Sequence, residues 1–197
     1  DSFDTDKVLV NAARQRDARG LDDVLIVDVD SHHYESESMR DIIEFIEDPV
    51  LRQLAQSSNQ VNQRGSMFAL GRVGYQDIGG RVTRYPLRKL EETPADGIHR
   101  DVHLTHKWMD AMGVDYTCMF PTPMLGLAMH PQPEVENHLA RAYNRWLTEE
   151  ILPGSPRMTS MLYLPFNDHN AAYKMVQDFG DKPGVIGFMV TSVRHKP

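Results

Sequence analysis

Four short apolar segments with helical patterns between them constrain the fold more than any other feature of the chain. Their residues run almost without polar alternation, which is typical of strands in a parallel sheet that is covered on both faces. Strands that alternate with helices indicate an α/β architecture. The four predicted strands are VLIVDVD at 24–30, VDYTCMF at 114–120, MTSMLYLP at 158–165 and GVIGFMVTS at 184–192.

Helical patterns lie between these strands. One apolar stripe with helical spacing runs from Ile42 to Leu54, and a second runs from Val135 to Leu147. A third helix is predicted to begin after Asn167-Asp168, because both are good N-cap residues, and to end near Gly180. The first three predicted strands are therefore each followed by a helix, whereas the fourth is not.

The fourth predicted strand leaves the sheet with an unpaired edge, because only the residues VRHKP follow it. Natural proteins avoid such an edge in a parallel sheet. The sequence therefore predicts a half structure, completed either by a further portion of the same protein or by another polypeptide. We also expect an oligomer of like or unlike chains.

The region from about 57 to 100 interrupts the pattern of strands and helices. It has few periodic apolar positions, and from 62 to 90 it carries six basic residues against a single acidic one, Asp77. We expect a long insertion after the first strand that serves as a lid or an interface arm. Its basic residues then either contact another subunit or steer anions toward a pocket. The predicted organisation is an N-terminal extension at 1–20 and one domain at 21–197.

Composition and charge exclude several classes of protein. With 197 residues, of which 41% are apolar, the chain is long enough for one sizeable core but short for two. A net charge of -7 argues against a nucleic-acid partner, since proteins that bind phosphate backbones usually carry a basic face. Residues 1–20 lack an apolar signal region, and no stretch approaches the roughly 18 apolar residues of a membrane span. We expect neither nucleic acid nor membrane as a partner.

Cys118 is the only cysteine in the chain, so no internal disulfide can form. This favours a reducing compartment, and we expect a cytoplasmic protein. Because Cys118 lies inside a predicted strand, we interpret it as a buried, small apolar side chain rather than a nucleophile.

Metal-capable side chains are concentrated at the end of the first predicted strand, in the run IVDVDSHHYE at 26–35. In an extended segment alternate side chains share one face, so Asp30 and His32 point together, with Asp28 one step earlier. His33 then points away. Grouped carboxylates and imidazoles are costly to desolvate without a cation, and this pair of donors suits zinc, manganese or iron. The sequence predicts a divalent metal site with Asp30 and His32 as ligands.

The run IVDVDSHHYE resembles the first strand of the amidohydrolase superfamily, in the branch that includes aminocarboxymuconate-semialdehyde decarboxylase and related aromatic-acid decarboxylases. Later segments are similar, in the same order, to that branch's second strand, the helix after it, the third strand and the fourth strand. The similarity covers about 22–35 and 101–192. These later segments are DAMGVDYTCMFPT, ARAYNRWLTEEI, RMTSMLYLPFND and PGVIGFMVTS.

This resemblance implies a distorted (β/α)8 TIM barrel with a metal at its C-terminal mouth, of which the chain holds about the first four strands. In the family the first strand supplies two ligands in an H-x-H arrangement, the first of which is sometimes acidic. Asp30 takes the first position and His32 the second. The family's further ligands, histidines from the fifth and sixth strands and an aspartate from the eighth, would lie past residue 197.

Other side chains at the predicted pocket have candidate roles. Thr122 follows the second strand and Arg194 the fourth, and both are candidates to contact a substrate, Arg194 through a substrate carboxylate. His130, in the loop GLAMHPQP, is a candidate substrate contact or acid–base group. His33 and Glu35 can reach a second cation or a substrate or serve as orienting hydrogen-bond partners, and Glu35 is the candidate third ligand. No glycine-rich phosphate loop follows a strand, so no nucleotide cofactor is expected.

Three functions are compatible with these residues. The first is a metal-dependent enzyme that hydrolyses or non-oxidatively decarboxylates a small organic carboxylate. The second is a dinuclear iron or manganese oxygenase on the same fold. The third is a non-catalytic subunit of a heteromeric complex, with the metal site on its partner.

Overall fold

A four-stranded parallel sheet lies at the centre of the structure, a computed structural model that describes residues 5–33, 35–61 and 92–191. The strands lie side by side in chain order, and each neighbouring pair is parallel. The four predicted strands and the α/β architecture are therefore confirmed, and the arrangement is consistent with a partial (β/α) fold. The strands are β1 (Val27–His33), β2 (Tyr116–Pro121), β3 (Met158–Tyr163) and β4 (Val185–Met189).

Two predicted helices appear where the apolar patterns place them, as α5 and α6. Asp168 is the N-cap of α6, and its carboxylate accepts hydrogen bonds from the backbone N–H groups of Asn170 and Ala171. The predicted capping role of this aspartate is thus confirmed. The helices in the described ranges are α1 (Thr5–Ala18), α2 (Met39–Glu44), α3 (Pro49–Val61), α4 (Arg100–Met112), α5 (Pro133–Trp146) and α6 (His169–Phe179).

The apolar stripe at 42–54 forms two helices, so the prediction of one continuous stripe is wrong. α3 begins at Pro49, whose missing N–H suits the first turn of a helix. Asp48 caps that turn by accepting from the N–H of Leu51 at 2.8 Å. After the break, Val50 and Leu54 are exposed, while Leu51 and Ala55 still pack against the core.

The helices bury one face of the sheet. Tyr143 and Trp146 of α5 are fully buried, and they share a core with Met158 and Leu162 of β3 and Ile42 of α2. Each large apolar side chain buried in this way stabilises the fold by about 1.5–3 kcal/mol. Because this core holds the helices against the sheet, it fixes the positions of the strands whose carboxyl ends form the candidate site.

The opposite face of the sheet is covered only in part by the residues that the structure describes, contrary to the prediction of strands covered on both faces. Val29 of β1 is 69% exposed, Tyr116 of β2 47% and Ile186 of β4 58%. β2 is covered more fully beyond Tyr116, since Thr117, Cys118 and Met119 are buried in succession.

β1 lies three residues later than predicted, at 27–33 rather than 24–30. Its ladder with β2 continues as far as the pairing of His33 with Pro121, so the predicted strand-end cluster lies within the strand. Before the strand, the N–H of Ile26 donates to the side chain of Asp115 at 2.8 Å, and the N–H of Asp115 donates back to Ile26. The pairing partner, rather than local apolarity, therefore sets the limits of β1.

The predicted N-terminal extension at 1–20 contains α1, which packs against α4. Arg16 of α1 donates to the carbonyl oxygen of Asp110 at 2.5 Å, and Leu9 is buried. The predicted insertion starts within α3, and its basic segment at 62–90 lies outside the described residues. None of the helices in the described ranges has the length and apolarity needed to cross a membrane.

Replacing Gly113 by alanine is expected to destabilise the fold by about 1–2 kcal/mol. Gly113 ends α4 with φ 74°, and a Cβ there would lie 2.8 Å from Cδ of Arg16. Gly97→Ala is the matched control, because Gly97 has φ 83° but a Cβ added there would meet no atom of the described residues within 4 Å. Urea unfolding should show the larger loss for Gly113→Ala, and equal losses would contradict the role of the Arg16 contact.

Candidate metal centre

The side chains of Asp30 and His32 contact each other beside a β-bulge in β1. Asp28 pairs with Thr117 and Ser31 with Met119. Between these two pairs β1 has two residues and β2 has one, so β1 carries an extra residue. Asp30 Oδ1 lies 3.2 Å from His32 Nε2, with the Asp30 side chain 78% exposed. The predicted pairing of these two side chains is therefore present in the structure, on an accessible surface. Their role as metal ligands stays a prediction.

The end of β2 sets the orientation of the His32 ring. Nδ1 of His32 lies 3.1 Å from the carbonyl oxygen of Pro121 and 3.3 Å from the hydroxyl oxygen of Thr122. A carbonyl oxygen can only accept, so Nδ1 carries a proton and donates it to Pro121. Nε2 is therefore the ring nitrogen directed at the Asp30 carboxylate. If Nε2 carries no proton, these two acceptors repel each other at 3.2 Å unless a cation is shared between them.

Glu35 is fully buried beneath the segment that follows β2. Its two oxygens accept the backbone N–H groups of Thr122 at 2.9 Å and Met124 at 2.5 Å. Burial raises the pKa of this carboxyl to about 7, while the two N–H groups act in the opposite direction. The structure therefore places the candidate third ligand under a loop, with both oxygens engaged by backbone.

Glu35 does not form a three-residue group with Asp30 and His32. Across residues 5–33, 35–61 and 92–191, no three His, Cys, Asp or Glu side chains gather where they could hold one metal ion. The described part of the chain thus contributes a pair of donors, not a closed coordination sphere.

His33 points away from the Asp30–His32 pair, as the alternation of strand side chains predicts. Its Nε2 lies 2.6 Å from the hydroxyl of Tyr143, and its ring stacks on those of Tyr143 and Trp146. Burial raises the pKa of Tyr143 well above its ordinary value, so Tyr143 keeps its proton. His33 is thereby fixed against α5 and anchors the end of β1 to the core.

The remaining sequence-predicted residues lie apart from this pair or outside the described ranges. His130 ends the 3-10 turn at Pro123–Met129, and its Nδ1 accepts from the N–H of Gln132 at 3.1 Å within its own loop. Burial lowers the pKa of His130. Arg194 lies outside the described residues. Of the candidate substrate contacts, only Thr122 is thus placed beside His32 in the part of the chain that the structure describes.

Two buried polar residues that support this edge of the sheet have roles the sequence did not reveal in full. Asn144 of α5 donates to the carbonyl of Tyr163 and accepts from its N–H, so it anchors α5 to the end of β3. Glu136 is also fully buried and accepts from Tyr163 Oη at 3.0 Å and Asn167 Nδ2 at 2.8 Å. Glu136 was missed, although its position three residues before Leu139 places it on the apolar stripe of α5.

Cys118 lies in β2, near the carboxylates of Asp28 and Asp30, and is buried, as predicted. Burial raises the pKa of its thiol, and the charges of Asp28 and Asp30 act in the same direction. The thiol therefore keeps its proton at neutral pH, which agrees with a packing role.

No protein-family model matches the chain, and the search of curated proteins finds no match.

Proposed function

We propose that the chain is part of a metal-dependent enzyme of amidohydrolase type, in which Asp30 and His32 hold a divalent cation at the carboxyl ends of the strands. One observation carries this proposal: His32 directs Nε2 at the Asp30 carboxylate while Nδ1 is anchored on a backbone carbonyl. Histidine ligands of metals typically donate their second ring N–H to such an outer partner. The donor set therefore fits zinc, manganese or iron.

The remaining coordination would come from water, substrate or residues outside the described ranges. Exposed apolar side chains such as Val29 and Ile186 support packing of further strands against the open face of the sheet. The proposal therefore includes completion of a (β/α)8 barrel, by the same chain or by another.

A bound cation supplies polarisation of a substrate oxygen or activation of water. Thr122 is proposed to orient a substrate at this edge, which its position 3.3 Å from His32 Nδ1 supports. Arg194 is proposed to bind a substrate carboxylate. These roles suit hydrolysis and non-oxidative decarboxylation of a small organic carboxylate equally. A dinuclear oxygenase is less well supported, because His33 contacts Tyr143 and Glu35 contacts backbone amides.

Metal content tests the assignment of the two ligands. The purified chain is dialysed against zinc, manganese or ferrous iron, washed, and measured by inductively coupled plasma mass spectrometry. We expect the unaltered chain to hold metal that the double variant Asp30→Ala, His32→Ala loses for the most part, because both proposed ligands are removed. Retention of the metal by that variant would refute the assignment and favour the non-catalytic subunit.

An exposed Asp–His pair elsewhere provides the matched control. Asp96 Oδ1 lies 3.0 Å from His103 Nε2, and neither residue belongs to a strand of the sheet. The double variant Asp96→Ala, His103→Ala is expected to keep the metal. An equal loss from both double variants would show that surface Asp–His pairs bind metal without distinction, and would count against a built site.

A further inference from the structure

The peptide group that joins Pro121 and Thr122 lies between Glu35 and His32. Its N–H donates to Glu35 Oε2 at 2.9 Å, and its carbonyl oxygen lies 3.1 Å from His32 Nδ1. One planar, polarisable unit thus connects a fully buried carboxylate to the ring nitrogen of the proposed ligand.

The local sequence explains why an outside carboxylate is needed here. Thr122 is the N-cap of the turn at Pro123–Met129, yet its side chain makes no capping hydrogen bond to the described residues of that turn. Pro123 has no N–H, so the first donors of the turn are those of Thr122 and Met124, and Glu35 accepts both. Glu35 therefore fixes the backbone on either side of the peptide group that faces His32.

We propose that Glu35 is a positioning residue that holds His32 in its Nδ1–H tautomer through the Pro121–Thr122 peptide group. A carboxylate that accepts from the peptide N–H makes the carbonyl of the same peptide a stronger acceptor, because linked hydrogen bonds polarise one another. The stronger acceptor retains the proton on Nδ1 and leaves Nε2 as the nitrogen presented beside Asp30. The inference rests on the proposed metal site, and it gives Glu35 a role other than ligand.

A matched pair of variants separates this role from general support of the fold. Glu35→Gln keeps the shape of the side chain but removes its charge and one of its two acceptors. Glu136→Gln makes the same change at another fully buried glutamate with two hydrogen-bond donors, which contacts Tyr163 and Asn167 instead of the Pro121–Thr122 peptide group. Both variants are expected to unfold at lower temperature.

The tautomer of His32 is the decisive measurement, and it needs no metal. Nitrogen chemical shifts of the histidine rings are recorded by NMR on the metal-free chain, at a pH where the imidazole is neutral, with the His32 signals identified by their loss in His32→Ala. We expect the Nε2–H share of His32 to rise severalfold in Glu35→Gln and to stay unchanged in Glu136→Gln. An unchanged share in Glu35→Gln, or an equal rise in both variants, would overturn the proposal.

Zinc affinity, measured by competition with a chelating dye, gives an independent second result. We expect Glu35→Gln to weaken zinc binding about tenfold relative to Glu136→Gln. If the unaltered chain binds no zinc while the tautomer shift is present, the proposed function fails and the positioning role stands. If the unaltered chain binds zinc but Glu35→Gln and Glu136→Gln bind it with equal affinity, the positioning role fails while the proposed function stands. Should Glu35→Gln not fold, Glu35→Asp, which withdraws the carboxylate by one methylene, is expected to shift the tautomer in the same direction, and no shift would overturn the proposal.

Discussion

Replacing Asn144 by leucine is expected to lower the free energy of unfolding by about 2–5 kcal/mol. Asn144 is fully buried and bonds both the N–H and the carbonyl of Tyr163, at 3.1 and 2.9 Å. Leucine has a similar volume but no polar atoms, so both bonds to the end of β3 are lost in a region that water does not reach. Chemical unfolding followed by circular dichroism measures the change.

The control for this substitution lies two turns earlier on the same helix. Asn137 donates one hydrogen bond to Asp168 at 2.9 Å, and its buried Oδ1 has no partner among the described residues. Asn137→Leu is expected to change the free energy of unfolding by no more than about 1 kcal/mol. A loss at position 144 no greater than that at position 137 would contradict the proposed anchoring of β3.

The second large effect is a fall in stability between pH 4.5 and about 7, caused by Glu35. Burial raises the pKa of this carboxyl from 4.5 to about 7, so across this window the folded chain holds a proton that the unfolded chain has released. The stability that the protonated Glu35 side chain contributes to the fold is fully present below pH 4.5 and is lost as the pH rises through about 7. Since one pKa unit corresponds to about 1.4 kcal/mol, the loss is about 3 kcal/mol.

Glu35→Gln isolates this effect, because an amide does not titrate. The pKa values of His106 and His130 are lowered, mainly by burial, so both histidines make stability rise with pH in part of the same window. They are present in both proteins and cancel in the difference between the two unfolding curves, measured with a chelator present. That difference should change by about 3 kcal/mol over the window. A difference that does not change with pH would mean that Glu35 is ionised in the folded chain across the whole window.

The strands and the Asp30–His32 pair could be predicted because each depends on local pattern. Buried strands need continuous apolar residues, and the pleat places residues two apart on one face. The contact between Asp30 and His32 follows from that spacing even though a bulge interrupts the ladder just before it. Asp168 was recognisable as a helix cap for the same reason, since its partners are its immediate neighbours.

The features that could not be predicted depend on contacts distant in sequence. Glu35 appeared to be a ligand because it follows His32 closely, but a 3-10 turn at Glu35–Ser38 places its carboxylate against backbone amides that lie 87 and 89 residues away. The limits of β1 depend on its partner strand in the same way. The division of the stripe at 42–54 is different, because Pro49 was a local signal that the apolar spacing concealed.

The match between strand order in the sheet and strand order in the chain has an evolutionary consequence. Each connection from a strand to the next helix forms one part of the carboxyl edge of the sheet. Replacing one connection therefore changes the shape of that part first. Two contacts limit this independence: Glu35 ties the connection after β1 to the one after β2, and Asn167, in the connection after β3, donates to the carbonyl oxygen of Ala128 in the connection after β2 at 3.0 Å. Lineages that diversify their chemistry on this scaffold must therefore change neighbouring connections together.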